Sequence, residues 1–308
     1  MIGRFIILLI SLWLVAAATI HASSNSHTGP VTAICSIGPK VYSISQAGLF
    51  QGTGKAIQHI FQPPFRGIAT AEWNDQLIIA GGTPGQSGDI GIYNLANKSF
   101  RSIKVSGDLI YDISVHPDQE TVALACADYN VITLPLPSLD PNQLKTFHKH
   151  TAAVRSVAYS PDGKHIASAG LDGLILLSNL NKSNSPTQIH DHTGKIECLS
   201  FSPDSTLLAS GSRDGKLRIH QSDGRLLRSL SLTYNKTQTP CQQEEKVLSI
   251  HWSKDALLVG TNAGIMHQCP PDASSIKTHQ TISSHPIYCI ETIGTKECYG
   301  IFSRLIGR

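Results

Sequence analysis

The sequence predicts an all-β fold made of seven similar sheets, and three observations predict it. Residues 152–180 (AAVRSVAYSPDGKHIASAGLDGLILLSNL) recur as residues 194–222 (GKIECLSFSPDSTLLASGSRDGKLRIHQS), with His150 aligned to His192 and Asp172-Gly173 to Asp214-Gly215, each 42 residues apart. The short apolar strand that opens each copy can be followed along the chain, with anchors at Val31, Ile68, Ile110, Val154, Ile196, Val247 and Ile287. Their mean spacing, about 43 residues, is that of a four-stranded propeller blade. No window beyond the N-terminal segment holds a helical period. The predicted architecture is therefore a seven-bladed β-propeller whose last blade is incomplete, since only two clear strands, at 287–291 and 297–302, follow the last anchor.

Each element of a unit has a local cause. In residues 154–159 the apolar Val154, Val157 and Tyr159 alternate with small or polar neighbours, which is strand patterning. Ser160-Pro161-Asp162-Gly163 then supplies turn chemistry, residues 165–169 resume as a strand, and Asp172-Gly173 makes the next tight turn. The fourth strand is the least distinct. The long interval between the fifth and sixth anchors contains Thr233–Glu245 (TYNKTQTPCQQEE), a polar stretch that reads as an extended loop. Gly81–Gly88 reads as a glycine-rich hairpin loop in the second blade.

These residues resemble the WD40 repeat family over nearly the whole chain from about His27, most specifically in the fourth and fifth blades, where HTAAV…SPDG…ASAGLDG and HTGKI…SPDS…ASGSRDG stand. The resemblance implies a hydrogen-bonded chain inside each blade, running from a loop histidine through a strand serine to a turn aspartate and a third-strand tryptophan. By matching motifs these are His150, Ser168 and Asp172 in one blade and His192, Ser210 and Asp214 in the next. The tryptophan is missing, with Ser178 and His220 in its place, and no Trp-Asp dipeptide occurs anywhere. Elsewhere Tyr93-Asn94, Asp128 and Asn262 occupy motif positions in the second, third and sixth blades, and His27 and His285 lie at or near the loop-histidine position of the first and seventh. A buried aspartate and histidine satisfied in this way avoid an unpaired polar group that costs about 1–3 kcal/mol. Bracing is needed in every blade and an active site only once, so the repetition favours a structural role, and no catalytic residue is assigned.

The first 22 residues form a separate region. A short basic start, Met1–Arg4, precedes the uncharged run FIILLISLWLVAAA at residues 5–18 and small residues up to Ala22. This is the pattern of a secretory signal peptide, cleaved after Ala18 or Ala22, and the run is short against the ~20 residues that span a bilayer. The propeller is then expected over residues 27–308, in an exported protein that touches a membrane only through a retained leader. The competing interpretation makes the apolar leader the missing strand of the seventh blade, in a cytoplasmic protein.

The seven cysteines cannot all pair within one chain. Cys198 and Cys289 share a first-strand column with Ala33, Thr70, Asp112, Ser156 and Ser249 and read as small core residues, as do Cys35 and Cys126 on their strands. A four-residue loop, Thr292–Thr295, would set Cys289 opposite Cys298 as a candidate disulfide, with Cys241 and Cys269 a weaker pair. No Cys-x-x-Cys pair supports a zinc site. The histidines outside the motif, including His116 and His148, read as turn residues.

A formal charge of +3 over 308 residues, with only 15% charged residues, gives no electrostatic surface for nucleic acid. There is no GxSxG elbow, HExxH helix, phosphate loop or dinucleotide-binding glycine pattern, and no cofactor is predicted. Trp73, Tyr159, Phe201 and Trp252 share one column and are expected in the core. The resulting expectation is a non-catalytic scaffold whose loops present a surface to a protein or peptide partner. The rival is an enzyme-type propeller, a lactonase or hydrolase, with a metal or acid/base site in the central channel. Asp112, a carboxylate in a column of small residues, is its footing, although hydrogen bonding within the third blade accounts for that residue more simply.

Overall fold

The computed structural model describes residues 30–301 apart from 53–56, 137, 183–184, 233–244, 283 and 294–295; Met1–Ala22, His27 and Cys241 fall outside these. Six four-stranded antiparallel sheets surround an axis. The first has strands Val31–Ile37, Lys40–Ser45, Gly48–Gly52 and Ile57–Phe61; the second Arg66–Trp73, Gln76–Thr83, Ser87–Asn94 and Phe100–Ser106. The third has Ile110–Val115, Thr121–Cys126, Asn130–Pro135 and Lys145–Lys149; the fourth Val154–Tyr159, His165–Gly170, Ile175–Asn179 and Thr187–Ile189. The fifth has Ile196–Phe201, Leu207–Ser212, Lys216–Gln221 and Leu226–Ser231; the sixth Val247–Trp252, Leu257–Thr261, Ile265–Cys269 and Thr278–Thr281. Ile287–Ile293 and Lys296–Ile301 pair as a two-stranded seventh sheet.

Every sheet is a meander from the axis outward, and each first strand packs against the first strand of the next sheet. Ile287–Ile293 packs in turn against Val31–Ile37, closing the ring. The described residues thus hold six complete blades rather than seven. The repeat period counts first strands, of which there are seven, whereas a blade needs four, and among the described residues the seventh unit has two.

Burial follows radial position. The second strands are almost wholly enclosed, as in His165–Gly170 and Leu257–Thr261, while the fourth strands at Lys145–Lys149 and Leu226–Ser231 are largely exposed. The core lies between blades: Ala69, Ile78 and Ile90 of the second meet Ile110, Val122 and Leu124 of the third. Each such aliphatic side chain removed from water stabilises by about 1.5–3 kcal/mol. Trp73, Phe201 and Trp252 are buried as expected, and Tyr159 is half-buried with its ring edge-on to His116.

Two local readings are corrected. Strand pairing continues through most of Gly81–Gly88, with Gly81 opposite Asp89, Gly82 opposite Gly88 and Thr83 opposite Ser87, so the loop is only residues 84–86. Glycine is needed there because a Cβ at Gly81 would lie 1.9 Å from the Arg66 carbonyl oxygen. The last hairpin also pairs further than its sequence suggests, to Ile293 opposite Lys296. This extended pairing moves the register by two, so Cys289 is opposite Gly300 and Cys298 is opposite Glu291 instead of each other. Cys289 Sγ lies 3.9 Å from the Val31 carbonyl oxygen.

Candidate functional site: the mouth of the central channel

Each of the seven first strands carries one extra residue near its start, where pairing with the second strand slips by one. The bulged residues are Thr32, Ile68, Tyr111, Arg155, Glu197, Leu248 and Tyr288. A bulge re-aims its side chain away from the alternation of the strand, and all seven line one central channel of about 620 Å³. In the second blade the bulge falls at Ile68 itself, so Ala69 rather than Thr70 shares the small-residue column. The first strands start at the end of the ring that carries the Asp-Gly turns, since Val154 pairs with Gly170 and Ile196 with Ser212. Turns and bulge ring therefore share one face.

Around the ring the character changes. The third to fifth blades contribute Tyr111, Arg155 and Glu197, while the sixth, seventh, first and second contribute Leu248, Tyr288, Thr32 and Ile68. Glu197 is almost fully enclosed, yet it holds two guanidinium groups. Arg155 donates from Nε to Glu197 Oε2 at 2.9 Å, and Arg213, from the turn of the fifth blade, donates from Nε to Oε1. The Arg155 guanidinium lies 4.1 Å over the Tyr111 ring. Arg66, exposed, joins the lining.

The column just below the bulges stitches blades together. Asp112 Oδ1 accepts from its neighbour's Ile113 N–H at 2.9 Å, whereas Oδ2 accepts from Ser156 Oγ at 2.8 Å and Val157 N–H at 3.1 Å. Its partners thus stand mainly in the fourth blade, not within the third as expected, because a short side chain on a first strand reaches the next first strand more readily than its own second. Ser156 Oγ in turn accepts the Leu199 N–H of the fifth blade at 3.1 Å, and Ser249 Oγ donates to the Ile287 carbonyl of the seventh at 3.0 Å. Burial raises the Asp112 pKa to about 6, against the pull of Ser156, Val157 and Ile113. Among the described residues no three His, Cys, Asp or Glu side chains converge as a metal-binding group.

The motif residues lie away from the channel, inside their blades. His150 Nδ1 sits 2.9 Å from Asp172 Oδ2 and Nε2 2.9 Å from Ser168 Oγ. His148, expected in a turn, is instead buried on the outermost strand of the third blade, with Nδ1 2.8 Å from Ser168 Oγ and Nε2 2.8 Å from Ser178 Oγ. Its Nε2 thus reaches Ser178, the residue at the position where the resemblance implied tryptophan. Burial, then His150, lowers the His148 pKa to about 3, so both its nitrogens serve as one donor and one acceptor. One polarity satisfies every group: Ser178 O–H to His148, His148 N–H to Ser168, Ser168 O–H to His150, and His150 N–H to the carboxylate of Asp172. Burial works against ionisation of Asp172, but the His150 contact and backbone N–H groups of Thr151 and Leu174 outweigh it and lower its pKa.

In the fifth blade His192 Nε2 lies 2.8 Å from Ser210 Oγ, and Nδ1 lies 3.1 Å from Asp214 Oδ2. A buried arginine, Arg218, adds contacts from Nη1 to His192 Nδ1 and, at 2.8 Å, to Asp214 Oδ2. These contacts set the Arg218 charge beside both the imidazole and the carboxylate, where the fourth blade has no such charge. Burial lowers the His192 pKa to about 4 even though Asp214 raises it, and Asp214 itself is held low, against burial, by Arg218, His192 and Thr193 N–H. His220, at the tryptophan position, binds Asp191 through Nε2 at 2.9 Å. The third blade has a shorter version, Ser106 Oγ to Asp128 Oδ2 at 2.6 Å.

Neither the bulge ring nor His148 was singled out from sequence. The signal was present: Arg155 and Glu197 interrupt apolar strand starts at the same offset from Val154 and Ile196. Compared with known proteins, the chain matches the WD domain, G-beta repeat, over residues 141–177 and 184–221, which hold His150, Ser168 and Asp172 of one network and His192, Ser210 and Asp214 of the other. No curated protein matches it. The chain is a β-propeller in which two segments, one in the third and fourth blades and one in the fourth and fifth, match the WD40 repeat.

Proposed function

We propose that this chain is a non-catalytic scaffold that binds a protein or peptide partner across the mouth of its central channel. The observation that carries the reading is the bulge ring: seven first strands each turn one side chain into the channel, and those seven differ in size and charge while the bracing residues recur. A rigid closed ring holds such a patch in fixed geometry. A second feature of the same face supports it. Tyr129 occupies the turn position held by Gly173, Gly215 and Gly264, with φ of 76° against 74° in each glycine, and its side chain is exposed. An aromatic residue in the left-handed region costs about 1–2 kcal/mol, and an exposed ring gains nothing from the core in return.

The enzyme alternative rested on Asp112, and both its oxygens already accept hydrogen bonds that join blades. Export is part of the proposal, argued from the leader pattern of Met1–Ala22; N-terminal sequencing of the mature protein tests it, with a start after Ala18 or Ala22 expected and an intact Met1 contradicting it. The binding surface is tested by placing a photo-reactive amino acid at Tyr288 and, separately, at Leu226 on the outer strand of the fifth blade. A partner captured from Tyr288 alone, and then bound by the purified chain, supports the reading. Capture only from Leu226 contradicts it.

A further inference from the structure

Resting on that reading, we infer that the partner segment is acidic: one Asp or Glu side chain enters the mouth against Arg155 and Arg213, with an adjacent apolar residue over Leu248 and Tyr288. The argument begins with how Glu197 is shared. Both arginines reach it through Nε, and a guanidinium that gives its Nε to one carboxylate keeps two terminal nitrogens for another acceptor. Among the described residues no protein acceptor takes those terminal nitrogens. Glu197, with 3% of its side chain exposed, fixes both forks from below, while Arg155 and Arg213 remain 29% and 45% exposed. The pair is thus preorganised, which removes much of the ordering cost that flexible arginines carry into binding.

Charge points the same way. Arg66, Arg155 and Arg213 line the cavity with two carboxylates, Glu197 and Asp112, and Asp112 is enclosed by hydrogen bonds from the fourth blade. The mouth therefore has surplus positive charge on the side of the third to fifth blades. Opposite, Leu248 is half-buried and Tyr288 is 39% exposed, an apolar shelf within the same cavity. An acidic residue beside an apolar one matches both halves at once.

The test measures binding of the full chain to short fluorescein-labelled peptides carrying Leu-Asp-Leu or Leu-Glu-Leu in varied flanks, beside Asn, Gln and Lys counterparts. The expected result is at least about a tenfold preference for the acidic members, lowered about tenfold by Arg213→Lys, which keeps the charge beside Glu197 but loses the fork. Equal affinity for Asp and Asn peptides, with binding still weakened by Tyr288→Ala, overturns the carboxylate inference and leaves the scaffold reading standing. Bound peptides indifferent to both substitutions overturn the two together. Failure of every acidic peptide to bind overturns the inference as well.

Discussion

Ser156 Oγ donates to Asp112 Oδ2 at 2.8 Å across the boundary of the third and fourth blades, and the same oxygen accepts the Leu199 N–H of the fifth at 3.1 Å. One serine thus ties three first strands just beneath the bulge ring, so the side chains of the mouth rest on a stitched layer.

This layer has a pH signature. With its folded pKa raised to about 6 from an ordinary 3.8, Asp112 binds its proton more tightly in the native state than in the unfolded chain. Its contribution is fully present below pH 3.8 and is lost as pH rises through 6. His148 and His192, lowered to about 3 and 4, act oppositely, stabilising above their ordinary 6.5 and losing that as pH falls. The comparison is therefore between variants: Asp112→Asn should gain stability over the parent by about 2 kcal/mol between pH 4 and pH 7. Denaturant titrations at both values check this, and an unchanged difference would contradict it.

The directional chain in the fourth blade makes Ser168 its weakest point. Ser168→Ala strands an acceptor on His150 and a donor on His148, both buried, at a cost of about 2–4 kcal/mol. Ser178→Ala strands one group, His148 Nε2, and should cost about half as much. Equal thermal shifts for the two would argue against the chain.

Arg218 stands where the fourth blade has Leu176. Arg218→Leu leaves His192 to pair with Asp214 alone, as His150 pairs with Asp172, and should cost under about 1 kcal/mol. Asp214→Asn leaves the Arg218 charge buried without its counter-ion and should cost about 3 kcal/mol or more. The nitrogen shifts of His192 in each variant report the tautomer directly.

Much of the fold was legible because propeller blades repeat, and repetition in His150, Asp172 and their partners 42 residues on is visible without coordinates. What resisted reading depended on neighbours in space. The burial of His148 follows from Ser178 across a blade, the partners of Asp112 lie one blade away, and the register of Cys289 is set by how far the last hairpin pairs. Bulges leave almost no mark in one sequence, because an extra residue is seen only against the strand it fails to pair with.

Relieving strain at the turn of the third blade should separate stability from binding. Tyr129→Gly should raise stability by about 1 kcal/mol and weaken partner binding, since the ring it removes is 48% exposed on the binding face. Calorimetry and affinity on the same preparation check both halves, and a gain in stability with unchanged affinity would leave the tyrosine unexplained.

The division of labour between mouth and bracing is tested most directly by comparing Arg213→Glu with Ser168→Ala for acidic-peptide affinity and thermal midpoint. The account predicts that Arg213→Glu abolishes binding and, by setting a second carboxylate against the enclosed Glu197, also lowers the midpoint, whereas Ser168→Ala lowers the midpoint while the folded protein binds as before. Binding lost through Ser168→Ala and retained in Arg213→Glu would place the recognition chemistry inside the blades and contradict it.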